Sequence, residues 1–206
     1  VPVDPESRKA ALEAAKPCEE LGHTVEETRL SDRCKAVGEV MATIVFVSVA
    51  RTLEDAAAAR GRPLTEADVE AITWDNYHRG LSIPSVAYSR AIHTCHQIGV
   101  AMARFQQNFD VVLSPTLAKP PIPLDILSLS APSAEAYGQA LVEFMPFTQL
   151  YNLTGQPSMS VPLYWTPDKL PVGVMFSARF GDEATLFRLA AQLEQARPWS
   201  KARPPV

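Results

Sequence analysis

Phe147-Thr148-Gln149-Leu150-Tyr151-Asn152-Leu153-Thr154-Gly155-Gln156-Pro157-Ser158-Met159-Ser160-Val161-Pro162 is the stretch on which the reading of the fold turns. Asn152 and Gly155 accept turn geometries that other residues resist. Gly155 with Pro157 predicts a sharp change of direction into a strand over Ser158 to Leu163. Leu170-Pro171 ends a hairpin-like approach, and Val172 to Arg179 is apolar almost throughout, as expected for a strand covered on both faces. Gly173 inside it predicts close packing against a neighbour. Further on, Asp182 caps a helix whose stripe is Leu186, Leu189, Ala190 and Leu193, and Pro198 stops it.

Upstream, Pro115, Pro120, Pro121, Pro123 and Pro132 exclude regular structure and stiffen a long loop. A long ordered loop in a compact domain is often functional. Ser133 predicts the cap of a helix running through Phe144, and Asp110 to Leu113 reads as a short interior strand. Pro84 opens the clearest long helix, ending near Asn108. Its stripe is Tyr88, Ile92, Cys95, Gly99, Met102 and Phe105, recurring every three or four residues. Lys35 to Arg60 mixes a β-branched run, Thr43 to Val47, with flanks rich in Ala, Glu and Arg, and helix is the preferred reading. Thr65 and Asp68 have capping-box spacing and predict a helix towards Tyr77. At the start, Asp4, Pro5 and Glu6 suit a helix N-terminus, Gly22 suits its stop, and Pro17 predicts a kink. A short strand is expected at Thr24 to Glu27. Alternating helices and strands place the chain in the α/β class.

A length of 206 residues fits one domain, and a hydrophobic fraction of 47% supplies a core. The net charge of −4, with no basic run, argues against nucleic acid as a partner. Cys18, Cys34 and Cys95 are too few and too scattered for a disulfide framework and fit a reducing, cytoplasmic compartment. The stretch Val1 to Arg8 does not read as a secretory signal. The most apolar window, Val40 to Ala50, is shorter than the roughly 20 residues a membrane span needs, so no membrane partner is expected.

Three further segments join the opening one: Leu170-Pro171-Val172-Gly173-Val174, Phe180-Gly181-Asp182-Glu183-Ala184-Thr185-Leu186, and Leu189 to Glu194 followed by Pro198-Trp199. In this order they resemble the C-terminal end of the amidase-signature family, whose members hydrolyse carboxylic amides. Asp110 to Thr116 resembles the family's strand with its "SPT" segment, and Leu21 to Val25 its "LGH-x-V" turn. The likeness is strong after about Asp110 and faint from Lys35 to Arg90. One departure concerns Lys169, where the family usually has Gly; if that turn needs positive φ, Lys169 is strained. The resemblance implies part of an α/β/α sandwich with a mixed central sheet, incomplete here, in which residues 1–206 are the C-terminal part of a single domain.

Family members use a serine nucleophile, a second serine and a lysine base, with a glycine-rich loop whose backbone N–H groups hold the oxyanion. This chain has 9 glycines, none adjacent, and no Gly-Gly-Ser-Ser motif. The expectation is a C-terminal portion, inactive alone, with no catalytic residue, metal or cofactor. The resemblance assigns it the acyl-side wall of a substrate pocket, formed by Thr116, Leu117, Phe144, Met145 and Gln149, with Phe144 and Met145 accepting a hydrocarbon or aryl group of a small amide. The alternative is a non-catalytic binding or scaffold module on the same fold. Half of such a sheet leaves apolar faces uncovered, which predicts self-association or contact with the absent N-terminal part. His93 and His96 share a helix face, but no second Cys/His cluster completes a zinc site. Ser114 with Lys119 lacks the oxyanion site that a dyad needs. The polar and aromatic cluster Trp74 to His78 is open between a ligand site and a packing surface.

Overall fold

The structure, a computed structural model, describes residues 1–131 and 133–205. Pro132, the last proline of the expected loop, lies outside the described residues. Helix α1 (Pro5–Glu20) starts where Asp4 accepts a hydrogen bond from the Glu6 N–H at 2.8 Å, and Gly22 follows it at φ 89°. Pro17 is absorbed in its last turn, where the backbone is about to leave the helix. The expected strand at Thr24 to Glu27 does not form. Residues 21–29 are exposed throughout, and among the described residues none of them pairs with a strand.

The ambiguous segment is helical. A 3₁₀ turn (Asp32–Ala36) leads into α2 (Val37–Arg60), closed by Gly61 in the left-handed conformation. The run Asp32–Arg60 is therefore long and apolar enough to cross a membrane by length and composition, which overturns the argument from the short Val40 to Ala50 window. Here it packs along α3 (Ala71–Ser82), α4 (Ser85–Phe105) and α6 (Thr148–Thr154). Thr65 and Asp68 do form a capping box, but it closes a 3₁₀ turn (Glu66–Asp68), and α3 starts only at Ala71. Helix α4 is centred slightly off the predicted stripe, with Ala91, Ile98 and Met102 its buried residues.

Strands β1 (Val111–Pro115), β2 (Ser158–Trp165) and β3 (Pro171–Ala178) form an antiparallel sheet in the order β1-β3-β2. Strand β1, expected to be interior, is an edge of this described sheet. The central strand β3 sorts the molecule into layers through its two-residue period. Val172, Val174, Phe176 and Ala178 enter one core, with α1 and α7 (Glu183–Ala196). Met175 enters the other, with α2, α4 and α6. The result is the expected α/β/α layering. Helix α1 presents Ala10, Ala14 and Cys18 to the sheet, side chains small enough for a close approach. A bulge in β2 between Val161 and Tyr164 contains Pro162, which has no N–H to offer a ladder.

Helix α5 (Ala134–Phe144) is capped by Ser133 as expected, its hydroxyl accepting from the Ala136 N–H. Asn152, read as a turn residue, lies instead inside α6, and the turn falls to Gly155 at φ 73°. Lys169 adopts φ 61°, so the turn does require the strained geometry. Around it the Thr166 N–H donates to the Leu170 carbonyl at 2.9 Å, and the Thr166 hydroxyl accepts from the Leu170 N–H at 3.0 Å.

Candidate functional site

The predicted wall residues come from three separate elements. The chain leaves β1 at Pro115, and the Thr116 N–H still donates to the Gly173 carbonyl at 3.1 Å, so the strand geometry extends one residue further. Two residues on, the Ala118 N–H donates to the Phe144 carbonyl at the end of α5 (3.0 Å), and the Ala118 carbonyl accepts from the Asp4 N–H (2.8 Å). Ala118 is fully buried at this junction. Lys119 and Glu143 close the same seam with an ion pair of 3.0 Å, and the lysine beside Glu143 holds its carboxyl below the ordinary range. The segment after β1 is thus tied to the end of α5 directly after Thr116 and Leu117, through Ala118 and Lys119.

Met145 is the C-terminal cap of α5, its N–H bonded to the Leu141 carbonyl at 2.9 Å. Gln149 sits in the first turn of α6 and makes no side-chain hydrogen bond among the described residues. All five residues are half-buried, neither sealed in the core nor fully solvated.

Sequence reasoning missed Ser160. Its hydroxyl lies 2.7 Å from that of Thr116, and Gly173 makes room for the pair. A Cβ at Gly173 would stand 2.5 Å from Ser160 Oγ and 3.0 Å from Thr116 Oγ1. The expected close approach at Gly173 is therefore real, and its purpose is to admit two hydroxyls. The only signal was the two-residue period that puts Ser158 and Ser160 on one face. Ser158 uses that face to meet Ser177, hydroxyl to hydroxyl at 2.8 Å.

Beneath these hydroxyls lies a satisfied polar network. The Gln156 amide N–H donates to Gln106 Oε1, and Thr154 donates to Gln156 Oε1 at 2.9 Å. Buried amides cost stability unless bonded, so this network fixes the turn after α6 and holds it to α4.

The other constellations resolve into structural contacts. The Ser114 hydroxyl donates to the Pro115 carbonyl at 3.1 Å while Lys119 is engaged by Glu143, so each has its own partner. Trp74, Tyr77 and His78 stack with centroid separations of 4.8–5.2 Å, and the Tyr77 hydroxyl donates to Glu54 on α2. All three cysteines are free thiols, and burial pushes each up from its ordinary pKa, which disfavours the reactive thiolate. Among the described residues no three His, Cys, Asp or Glu side chains converge as metal ligands.

A family model described as Amidase matches residues 1–187. The 6-aminohexanoate-cyclic-dimer hydrolase of Paenarthrobacter ureafaciens is 31% identical over 211 residues, covering 98% of this chain and 42% of that protein. Among solved structures, a 6-aminohexanoate cyclic dimer hydrolase superposes with a TM-score of 0.87 at 30% identity, over 98% of this chain and 43% of the other. A bacterial aryl acylamidase of the amidase signature family gives a TM-score of 0.83 at 23% identity, over 100% of this chain and 44% of the other, a likeness of fold. The chain spans about 42% of the length of the curated relative it matches.

Proposed function

Because this chain belongs to the amidase family, we propose that it forms the acyl-side wall of the substrate pocket in an enzyme that hydrolyses small or aryl carboxylic amides to carboxylate and amine or ammonia. The observation that carries this reading is the junction at Ala118. The Ala118–Phe144 hydrogen bond and the Lys119–Glu143 ion pair tie the segment that carries Thr116 and Leu117 to the end of α5, which carries Phe144 and Met145. Phe144 and Met145 supply apolar surface for a hydrocarbon or aryl group, and methionine adapts to several shapes. Thr116 and Gln149 supply the polar contacts that orient an amide. The relatives support the reaction class, one of them by name a hydrolase of the 6-aminohexanoate cyclic dimer.

Acyl transfer also needs an activated nucleophile and donors for the oxyanion. Consecutive glycines are absent from these 206 residues, and among the described ones no serine hydroxyl is hydrogen-bonded to a lysine. In this reading the 206 residues are the C-terminal part of one domain and catalyse nothing alone. Self-association belongs to the same proposal, since Phe180 and Phe187 are 77% and 76% exposed. Cytoplasmic residence fits three free thiols.

The test begins with the reading frame on the 5′ side of the Val1 codon. A Gly-Gly-Ser-Ser segment preceded by a lysine supports the enzyme, whereas a start codon there supports a binding or scaffold module. In the catalytically competent protein, Met145→Ala is expected to raise KM for an aryl amide about 10-fold while leaving acetamide within about 2-fold, since only the larger acyl group reaches the wall. Equal effects on both amides, or turnover by the 206-residue chain that Lys119→Ala abolishes, overturns the assignment.

A further inference from the structure

His93, His96, Gln97, Val100, Ala101 and Arg104 recur along α4 at the spacing that places residues on one helix face. Arg33, from the 3₁₀ turn at Asp32–Ala36, reaches the same face, and together they enclose a cavity of about 230 Å³. No carboxylate lines it. Arg33 Nη1 donates to Gln97 Oε1 at 3.1 Å, and Gln97 Nε2 lies 2.9 Å from His93 Nε2. Among the described residues Arg104 has neither an ion-pair nor a side-chain hydrogen-bond partner, and Arg33 has no carboxylate partner. In a chain of net charge −4, two guanidinium groups share one concavity without a counter-charge.

A second cavity of about 520 Å³ continues from the first, sharing His96 and Val100 with it. Cys95, Leu153 and Phe180 give it apolar walls; Gln106 and Gln156, which also line it, bond each other, and Arg179 at its side is already engaged by Asp110 and the Gln106 carbonyl, each at 2.9 Å. One end of the groove thus offers unmet cationic donors, and the other offers apolar surface.

We propose that this groove binds a small amphiphilic anion, with an oxyanion head taken by Arg33 and Arg104 and a short apolar body lying over Val100, Leu153 and Phe180. Guanidinium forks match carboxylate and phosphate oxygens alike, so an alkyl carboxylate and an alkyl phosphate share the required chemistry. None of Thr116, Leu117, Phe144, Met145 or Gln149 lines either cavity.

The experiment is calorimetric titration of the purified chain, at constant ionic strength, with hexanoate, hexyl phosphate, acetate and neutral hexanamide. Saturable binding of hexanoate or hexyl phosphate is expected, the tighter of the two identifying the head group. Acetate should bind at least about 10-fold more weakly than hexanoate, since it lacks the methylenes that occupy the apolar end. Hexanamide should bind at least about 10-fold more weakly than the tighter anion, since it carries no charge and offers a guanidinium fork one acceptor oxygen in place of two. Arg104→Gln decides the matter, because Arg104 bonds no other described side chain and contributes to the fold only through its place in the exposed last turn of α4. It should weaken the anion about 10-fold while the thermal unfolding stays cooperative and shifts only slightly, as expected for one cation lost from a helix C-terminus. Arg51→Gln, which removes an exposed arginine paired with Asp55 on α2, should change nothing. Wild-type affinity in Arg104→Gln, equal binding of hexanamide and the anions, equal binding of acetate and hexanoate, or the absence of saturable binding by either anion overturns the proposal.

Discussion

Replacing Gly80 by alanine isolates the contact that joins α2 to α3. In an open helical position Gly→Ala stabilises by up to about 1 kcal/mol, because glycine loses more backbone freedom on folding. At Gly80 the added Cβ would lie 2.7 Å from the Phe46 carbonyl carbon and 2.8 Å from the Ala50 Cβ, with the Phe46 carbonyl oxygen closer still. Two of these three atoms are backbone in the middle of a 24-residue helix, so no rotamer change relieves them. Restoring ordinary contact near 3.4 Å or beyond would require the helices to part by roughly 1 Å along a seam that also carries the Tyr77–Glu54 hydrogen bond and the Arg79 guanidinium over the Phe46 ring. Overpacking of this kind costs about 1–3 kcal/mol, and rigid backbone places it near the top of that range. The net expectation is a destabilisation of about 2 kcal/mol. Gly99→Ala serves as the internal control, since its Cβ would meet nothing within 4 Å. Urea unfolding of both variants, followed by circular dichroism, should separate their stabilities by about 3 kcal/mol in opposite directions from wild type. A Gly80→Ala chain as stable as Gly99→Ala would refute the close crossing of α2 and α3.

Two further outcomes follow from local geometry. Lys169→Gly should stabilise the chain by about 0.5–1 kcal/mol in the same denaturation assay, because glycine relieves a left-handed conformation at φ 61° but loses more freedom on folding. Asp68→Asn tests the capping turn through pH: the Arg62 guanidinium first, and the Thr65 N–H after it, hold the Asp68 carboxyl below the ordinary aspartate value. The folded-state pKa is depressed, so its contribution is present above the unfolded value near 4 and is lost as pH falls below it. Thermal melts should therefore show the variant less stable than wild type at pH 7, with the gap narrowing towards pH 2; a gap unchanged across that range would refute the link.

Which features were legible in the sequence depended on how local their causes are. Asp4, Ser133 and Asp182 were readable as caps because a side-chain oxygen bonds an N–H two or three residues away, and each does so. The near-continuous apolar run of β3 announced burial on both faces for the same reason: the signal lies within eight residues. Thr24 to Glu27 misled because a strand needs a partner edge, which no short segment declares. The capping box at Thr65 and Asp68 was seen, yet it ends in a 3₁₀ turn, since the bond pattern starts a helical turn without ensuring its continuation. The small α4 groove escaped notice altogether. His93 and His96 drew attention as possible ligands, while Arg33, sixty residues earlier, carried no mark of being folded against them.

The candidate substrate wall follows from the alternation of β3. Even-numbered side chains Val172, Val174 and Phe176 enter the α1–α7 core, so the odd-numbered positions Gly173, Met175 and Ser177 must face the α2–α4–α6 layer. Met175 and Ser177 meet the buried end of that layer. Gly173, nearer the start of the strand, meets Ser160 and Thr116 at the place where the chain leaves β1. Any side chain at 173 would push the Thr116 segment away from the sheet, and with it the Ala118–Phe144 bond that brings α5 into the wall. One missing Cβ at the start of the central strand therefore sets where the Thr116 segment lies against the sheet and the end of α5, and the wall we propose depends on that single glycine.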